Sequence, residues 1–165
     1  MKKKVFAVYL MLFLALSVPS FAESVVLPTE NEDIMLLMNQ IALASTFDYE
    51  KLWYYQPLNC ICIDVAEDGF AAVVSELLNQ GLDETYEPWA EFRDGLFSAY
   101  MSVVEYVAQS GVEDVGVSLS FVNDDIYMRD DDSNLSALTF LTFQNGEVYF
   151  DLLRERAMLR ALFGE

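Results

Sequence analysis

The sequence predicts an α+β domain, with helices packed on one face of a mainly antiparallel sheet of about four strands and a C-terminal β-hairpin. Three observations carry this. Apolar residues recur at helical spacing through the middle of the chain, between residues 67 and 111, and alternate at strand spacing over residues 115–152. Asn145-Gly146 separates two alternating segments, and both central residues of such a turn need positive φ. Helices in a run, followed by strands in a run, favour α+β over alternating layers.

The first 22 residues stand apart from that fold. Lys2, Lys3 and Lys4 precede an apolar run over residues 5–18, interrupted only by Ser17. Pro19 breaks the run, and Ser20-Phe21-Ala22 places small residues at the −3 and −1 positions of a cleavage site. The run is shorter than the roughly 20 residues that span a bilayer. Residues 1–22 are therefore expected to be a cleaved secretory signal peptide, with residues 23–165 forming a single α+β domain. An uncleaved anchor is the alternative. The expected location is exported, periplasmic or extracellular, as for small bacterial proteins, with membrane contact only through the signal before cleavage.

Within the mature chain, residues 25–29 read as a short extended lead-in. Thr29-Glu30-Asn31-Glu32 fits a capping box, and Ile34, Leu37, Met38, Ile41 and Leu43 follow at helical spacing. This predicts a helix over 30–45. Residues 47–58 form an aromatic stretch with no assigned element, and Pro57 disfavours regular structure beyond it. In residues 59–65, Ile61, Ile63 and Val65 alternate with Cys60, Cys62 and Asp64, which is strand spacing. The place of this strand in the sheet stays open.

Residues 67–80 turn helical, with Phe70, Val73, Val74, Leu77 and Leu78 on one face and Gly81 as the stop. Pro88 opens the next helix, which carries Trp89, Phe92, Leu96, Ala99, Val103 and Val107 and ends at Gly111. Residues 115–121, 137–144 and 147–152 are strands, and 153–163 a final short helix.

Composition removes several functions. The chain is 54% hydrophobic, too apolar for disorder. It carries 27 acidic and 9 basic residues, a net charge of −18, and no histidine. Loss of residues 1–22 would take three lysines and no acid. A nucleic-acid binder needs a basic footprint. Histidine-dependent triads and histidine-ligated metals are equally excluded.

Four features remain as candidates. Cys60 and Cys62 point to the same side of a strand. Their Cα atoms should lie about 6.6 Å apart, at the upper edge for a disulfide, so a bond there would be strained and easily reduced. Plain packing of two small residues is the simpler reading. A soft metal on two thiolates is a third, and it would need further ligands.

Asp124, Asp125, Asp130, Asp131 and Asp132 crowd a predicted loop, where weak calcium binding would relieve their repulsion. Asp130-x-Asp132-x-Asn134 begins like an EF-hand loop, but Leu135 and Leu141 stand where the glycine and bidentate glutamate belong. A solvated loop tip is the alternative. The aromatic stretch would stack on sugar rings if exposed, or fill the core if not. Arg154, Arg156 and Arg160 lie on the last helix, either complementing its dipole or docking a protein partner or a second copy.

No catalytic motif is visible. The expected function is a non-catalytic interaction or binding module without a cofactor. The alternatives are a thiol-disulfide or soft-metal protein built on Cys60 and Cys62, or a weak calcium or carbohydrate binder.

Overall fold

A computed structural model describes residues 25–44, 49–66, 68–129 and 135–163. The expected signal peptide lies outside these residues. The described residues form β1 (Val25–Val26), α1 (Glu32–Ala44), β2 (Lys51–Tyr55), β3 (Cys60–Ala66), α2 (Asp68–Asn79), α3 (Glu87–Gln109), β4 (Gly116–Arg129), β5 (Leu135–Gln144), β6 (Glu147–Asp151) and α4 (Leu152–Phe163). A 3₁₀ turn, Gln56–Leu58, joins β2 to β3.

The sheet has six strands in the order β1-β2-β3-β4-β5-β6. It is mixed: β1–β2 and β3–β4 are parallel, and the other three pairs antiparallel. This corrects the expected count of about four strands; antiparallel pairs are in the majority, and two pairs are parallel. The reason lies in the connections. α1 lies between β1 and β2, and α2 with α3 between β3 and β4, so each connection carries the chain back to start the next strand in the same direction. The strand bearing Cys60 becomes a central one.

Alternation along β3 and its neighbours builds one core face. Leu52, Ile61, Ile63, Val65, Val117, Leu119, Phe121, Leu141 and Phe143 bury there. All four helices insert into the same cluster. Ile34, Leu37, Met38 and Ile41 come from α1, Val74 and Leu77 from α2, Trp89, Tyr100 and Val107 from α3, and Leu153 from α4. Phe70 sits among Trp89, Phe92, Phe121 and Phe140, with ring centroids 5.4–5.9 Å apart. Such tilted and edge contacts add to the burial itself.

Phe140 reaches this cluster through a bulge. Phe121 pairs with Leu141 and Val122 with Thr139, so Phe140 is the extra residue on β5. Both Phe140 and Leu141 are buried.

One local expectation changes. The cap of α1 is Asn31, whose Oδ1 accepts the backbone N–H groups of Asp33 and Ile34, each at 3.1 Å. Thr29 instead accepts from Asn31 at 3.4 Å. A residue two positions before Asp33 reaches the first free N–H groups better than the more distant threonine. The β5–β6 turn does match its sequence, with Asn145 at φ 55 and Gly146 at φ 74.

Candidate functional site

The face of the sheet opposite the helices collects the chain's distinctive chemistry. β3 turns Ile61, Ile63 and Val65 into the core, which leaves Cys60, Cys62 and Asp64 on the other side. Pairing then sets their neighbours. On the β2 side, Tyr55 lies opposite Cys60, Trp53 opposite Cys62 and Lys51 opposite Asp64. On the β4 side the partners are Gly116, Ser118 and Ser120. Beyond them on β5 stand Gln144 and Thr142. A wall of aromatic rings on β2 thus borders a low row of glycine and serine on β4.

Contacts hold this row together. Trp53 Nε1 donates to Asp64 Oδ2 at 2.9 Å. Lys51 Nζ lies 5.0 Å from the Trp53 ring centroid, a cation–π distance. Trp53 and Tyr55 meet edge to face at 5.8 Å. Ser120 and Thr142 share a hydroxyl hydrogen bond of 3.1 Å.

Each thiol donates to a backbone carbonyl, Cys60 Sγ to Ile61 O at 3.6 Å and Cys62 Sγ to Cys60 O at 3.9 Å. Both are free; Cys60 is buried and Cys62 half-buried. A hydrogen bond from Cys62 holds Cys60 below the ordinary thiol range, against the opposing effect of burial. The same bond pushes Cys62 up, and burial and the negative charges of Cys60 and Asp64 add to this, with Lys51 opposing. Burial likewise raises the Asp64 carboxyl, against the Trp53 hydrogen bond and Lys51. Gly116 leaves space beside the thiol, since a Cβ there would stand 3.6 Å from Cys60 Sγ.

Asn59 fixes the end of β3 where the thiols begin. At φ 47 it is left-handed. It accepts from Tyr54 at 2.5 Å, donates to Asp114 O at 2.7 Å and accepts the Gly116 N–H at 2.9 Å. The start of β4 is tied to the start of β3 through this one residue.

The other sequence candidates are not brought to this face as a group. β4 continues to Arg129, so Asp124 and Asp125 belong to a strand rather than to the predicted loop. Asp130 and Asp132 lie outside the described residues. Among the described residues, no group of three or more His, Cys, Asp or Glu is arranged to hold a metal.

Two of the three arginines are engaged within the fold. Arg154 donates to Val148 O at 3.4 Å and Tyr149 O at 3.0 Å, and Arg160 donates to Leu78 O at 3.0 Å, near the end of α2. Arg156 is exposed. Of the aromatic stretch, Trp53 is half-buried and Tyr55 is exposed, both on the sheet face.

Sequence reasoning passed over Lys51, Trp53 and Asp64 as one group. The signal was present at Asp64, an acid inside an otherwise apolar strand. A cleft of about 600 Å³ also lies between the end of α3 and the β5–β6 turn, lined by residues including Tyr100, Val107, Asp114 and Gly146. No helix among the described residues is long and apolar enough to cross a membrane. No family model, curated protein or solved structure matches the chain.

Proposed function

We propose that the chain is an exported, non-catalytic binding module that takes a basic protein partner on the face of its sheet opposite the four described helices. One observation supports this above the rest: the four helices crowd one side of the sheet, leaving Lys51, Trp53, Tyr55, Cys62, Asp64, Ser118 and Ser120 together on the other. Trp and Tyr are the side chains that most often anchor protein contacts, and a hydroxyl-lined row beside them supplies adaptable hydrogen bonds. The chemistry of the partner follows from charge. A chain of net charge −18 repels acidic surfaces and steers basic ones toward itself.

The test is amide chemical-shift mapping of the folded domain with a soluble lysine-rich peptide that also carries aromatic residues. Shifts concentrated on β2, β3 and β4 are expected, with loss of binding in Trp53→Ala. Shifts spread over the acidic surface, unchanged in Trp53→Ala, would overturn the reading. Export is tested separately, by the mass of the secreted chain: cleavage after Ala22 leaves Glu23 as its first residue.

A further inference from the structure

We infer that Cys60 and Cys62 form a two-coordinate thiolate site for a soft monovalent cation, of the copper(I) and silver(I) class. This does not depend on a protein partner at the same face. Four features of the structure argue for it.

First, Cys60 and Cys62 stand two residues apart on β3 and so share one side of the strand. A disulfide between the same residues would sit at the upper edge of the usual Cα separation, about 6.6 Å on a strand, and be strained.

Second, the ligand count selects the metal. The sequence has no histidine and no third cysteine. No third His, Cys, Asp or Glu joins the pair among the described residues. Zinc asks for four ligands and calcium for six or more oxygens. Thiolates alone, two in number, suit a soft d¹⁰ cation that accepts linear coordination.

Third, the surroundings fit the charge and size of the product. Two S–H bonds give up their protons to solvent as two sulfur–metal bonds form, and no electron is transferred. The neutral dithiol and a monovalent cation thereby become a bis-thiolate of net charge −1. Lys51, on the same face beside Trp53 and opposite Asp64, supplies the compensating positive charge. Gly116 leaves the space beside Cys60 Sγ that any larger residue would fill.

Fourth, access is graded. Cys60 is 3% exposed while Cys62 is half-buried, so a metal enters by way of Cys62 and is passed inward. Trp53 and Tyr55 shield the pair on the β2 side.

The experiment uses the reduced, folded protein without oxygen, titrated with silver(I) and, separately, with copper(I) supplied as its acetonitrile complex. Native mass spectrometry and the ultraviolet thiolate-to-metal absorption are the readouts. One metal per chain is expected, with both thiols lost to a thiol reagent and affinity rising with pH as protons are displaced. Cys62→Ser should lose the tight equivalent. Being partly exposed, it tests the site even if Cys60→Ser does not fold. Lys51→Met should keep the stoichiometry and weaken binding roughly tenfold or more, whereas Gln144→Ala should leave it unchanged.

Failure of the reduced protein to take up metal overturns the inference. So does a tight equivalent retained in Cys62→Ser. A Cys60–Cys62 disulfide in the exported protein that persists under mild reduction overturns it in favour of a structural bond.

Discussion

Asp151 and Arg93, 58 residues apart in sequence, meet in the interior at 3.2 Å, with the Asp151 side chain fully buried. The same Oδ2 accepts Trp89 Nε1 at 3.0 Å, and Oδ1 accepts the Leu153 N–H at 3.0 Å. One carboxylate therefore caps α4, holds α3 through two side chains and closes the end of β6. Arg93 Nε is buried and finds no partner of its own. Removing the carboxylate would strand a guanidinium that is already under-satisfied. Asp151→Ala should cost about 3–5 kcal/mol, read as a fall in the urea midpoint. A loss below about 1 kcal/mol would mean that water replaces the carboxylate freely.

Tyr100 plays a neutral version of the same role at the other end of the sheet. Its hydroxyl donates to Val117 O at 3.0 Å and accepts the Gly146 N–H at 3.2 Å. Its ring stacks on Phe143 at 5.6 Å. Tyr100→Phe keeps the ring and deletes both hydrogen bonds, for an expected loss of about 1–2 kcal/mol. Gly146→Ala strains a left-handed residue at φ 74, an added cost of about 1 kcal/mol. Because Gly146 N–H is the donor to Tyr100, the two losses should fall short of additivity when combined. A double-mutant cycle by thermal unfolding checks this.

These two residues show where the sequence could be read and where it could not. β3 and the β5–β6 turn were legible because each has a single buried face or a demanding φ. β2 was not. Leu52 and Tyr54 face the core while Trp53 and Tyr55 face away, so both sides are apolar and the period of two disappears. The far half of β4 was hidden by Asp124 and Asp125, which read as a loop although the backbone stays extended. Tyr100 was passed over for its neighbour Ala99, although it lies four residues after Leu96 and seven before Val107, and it is among the most buried side chains. At the candidate site, the cysteines and their shared face were legible. Their neighbours were not, because register across strands is set by tertiary pairing and one residue of slip would exchange the faces.

The three arginines of α4 should separate cleanly. Arg154 occupies carbonyls of Val148 and Tyr149 on β6, the outermost strand, whose unpaired backbone would otherwise invite another strand. Arg160 ties α4 to the end of α2. Arg154→Ala and Arg160→Ala should each lose about 1 kcal/mol, while Arg156→Ala should stay within about 0.5 kcal/mol of the parent. Arg154→Ala should also associate more readily at high concentration, which light scattering would show. Equal losses from all three would indicate a general charge effect in place of these contacts.

Asp64 gives the sharpest pH dependence. Burial raises its folded-state pKa more than Trp53 and Lys51 lower it. The folded protein thus holds the proton more tightly than the unfolded chain does. The stabilising contribution of that proton is complete below the unfolded value of about 3.9, and it is lost as pH rises through the folded value. This sign is opposite to that of a salt-bridged carboxylate. Asp64→Asn keeps an acceptor for Trp53 Nε1 and removes the titration. The stability of the parent relative to Asp64→Asn should therefore increase as pH falls from about 7 to about 4. Urea unfolding across that range measures the difference directly. A flat difference would show a solvated carboxyl. A difference moving the other way would show that Lys51 and Trp53 stabilise the ionised form more than burial opposes it.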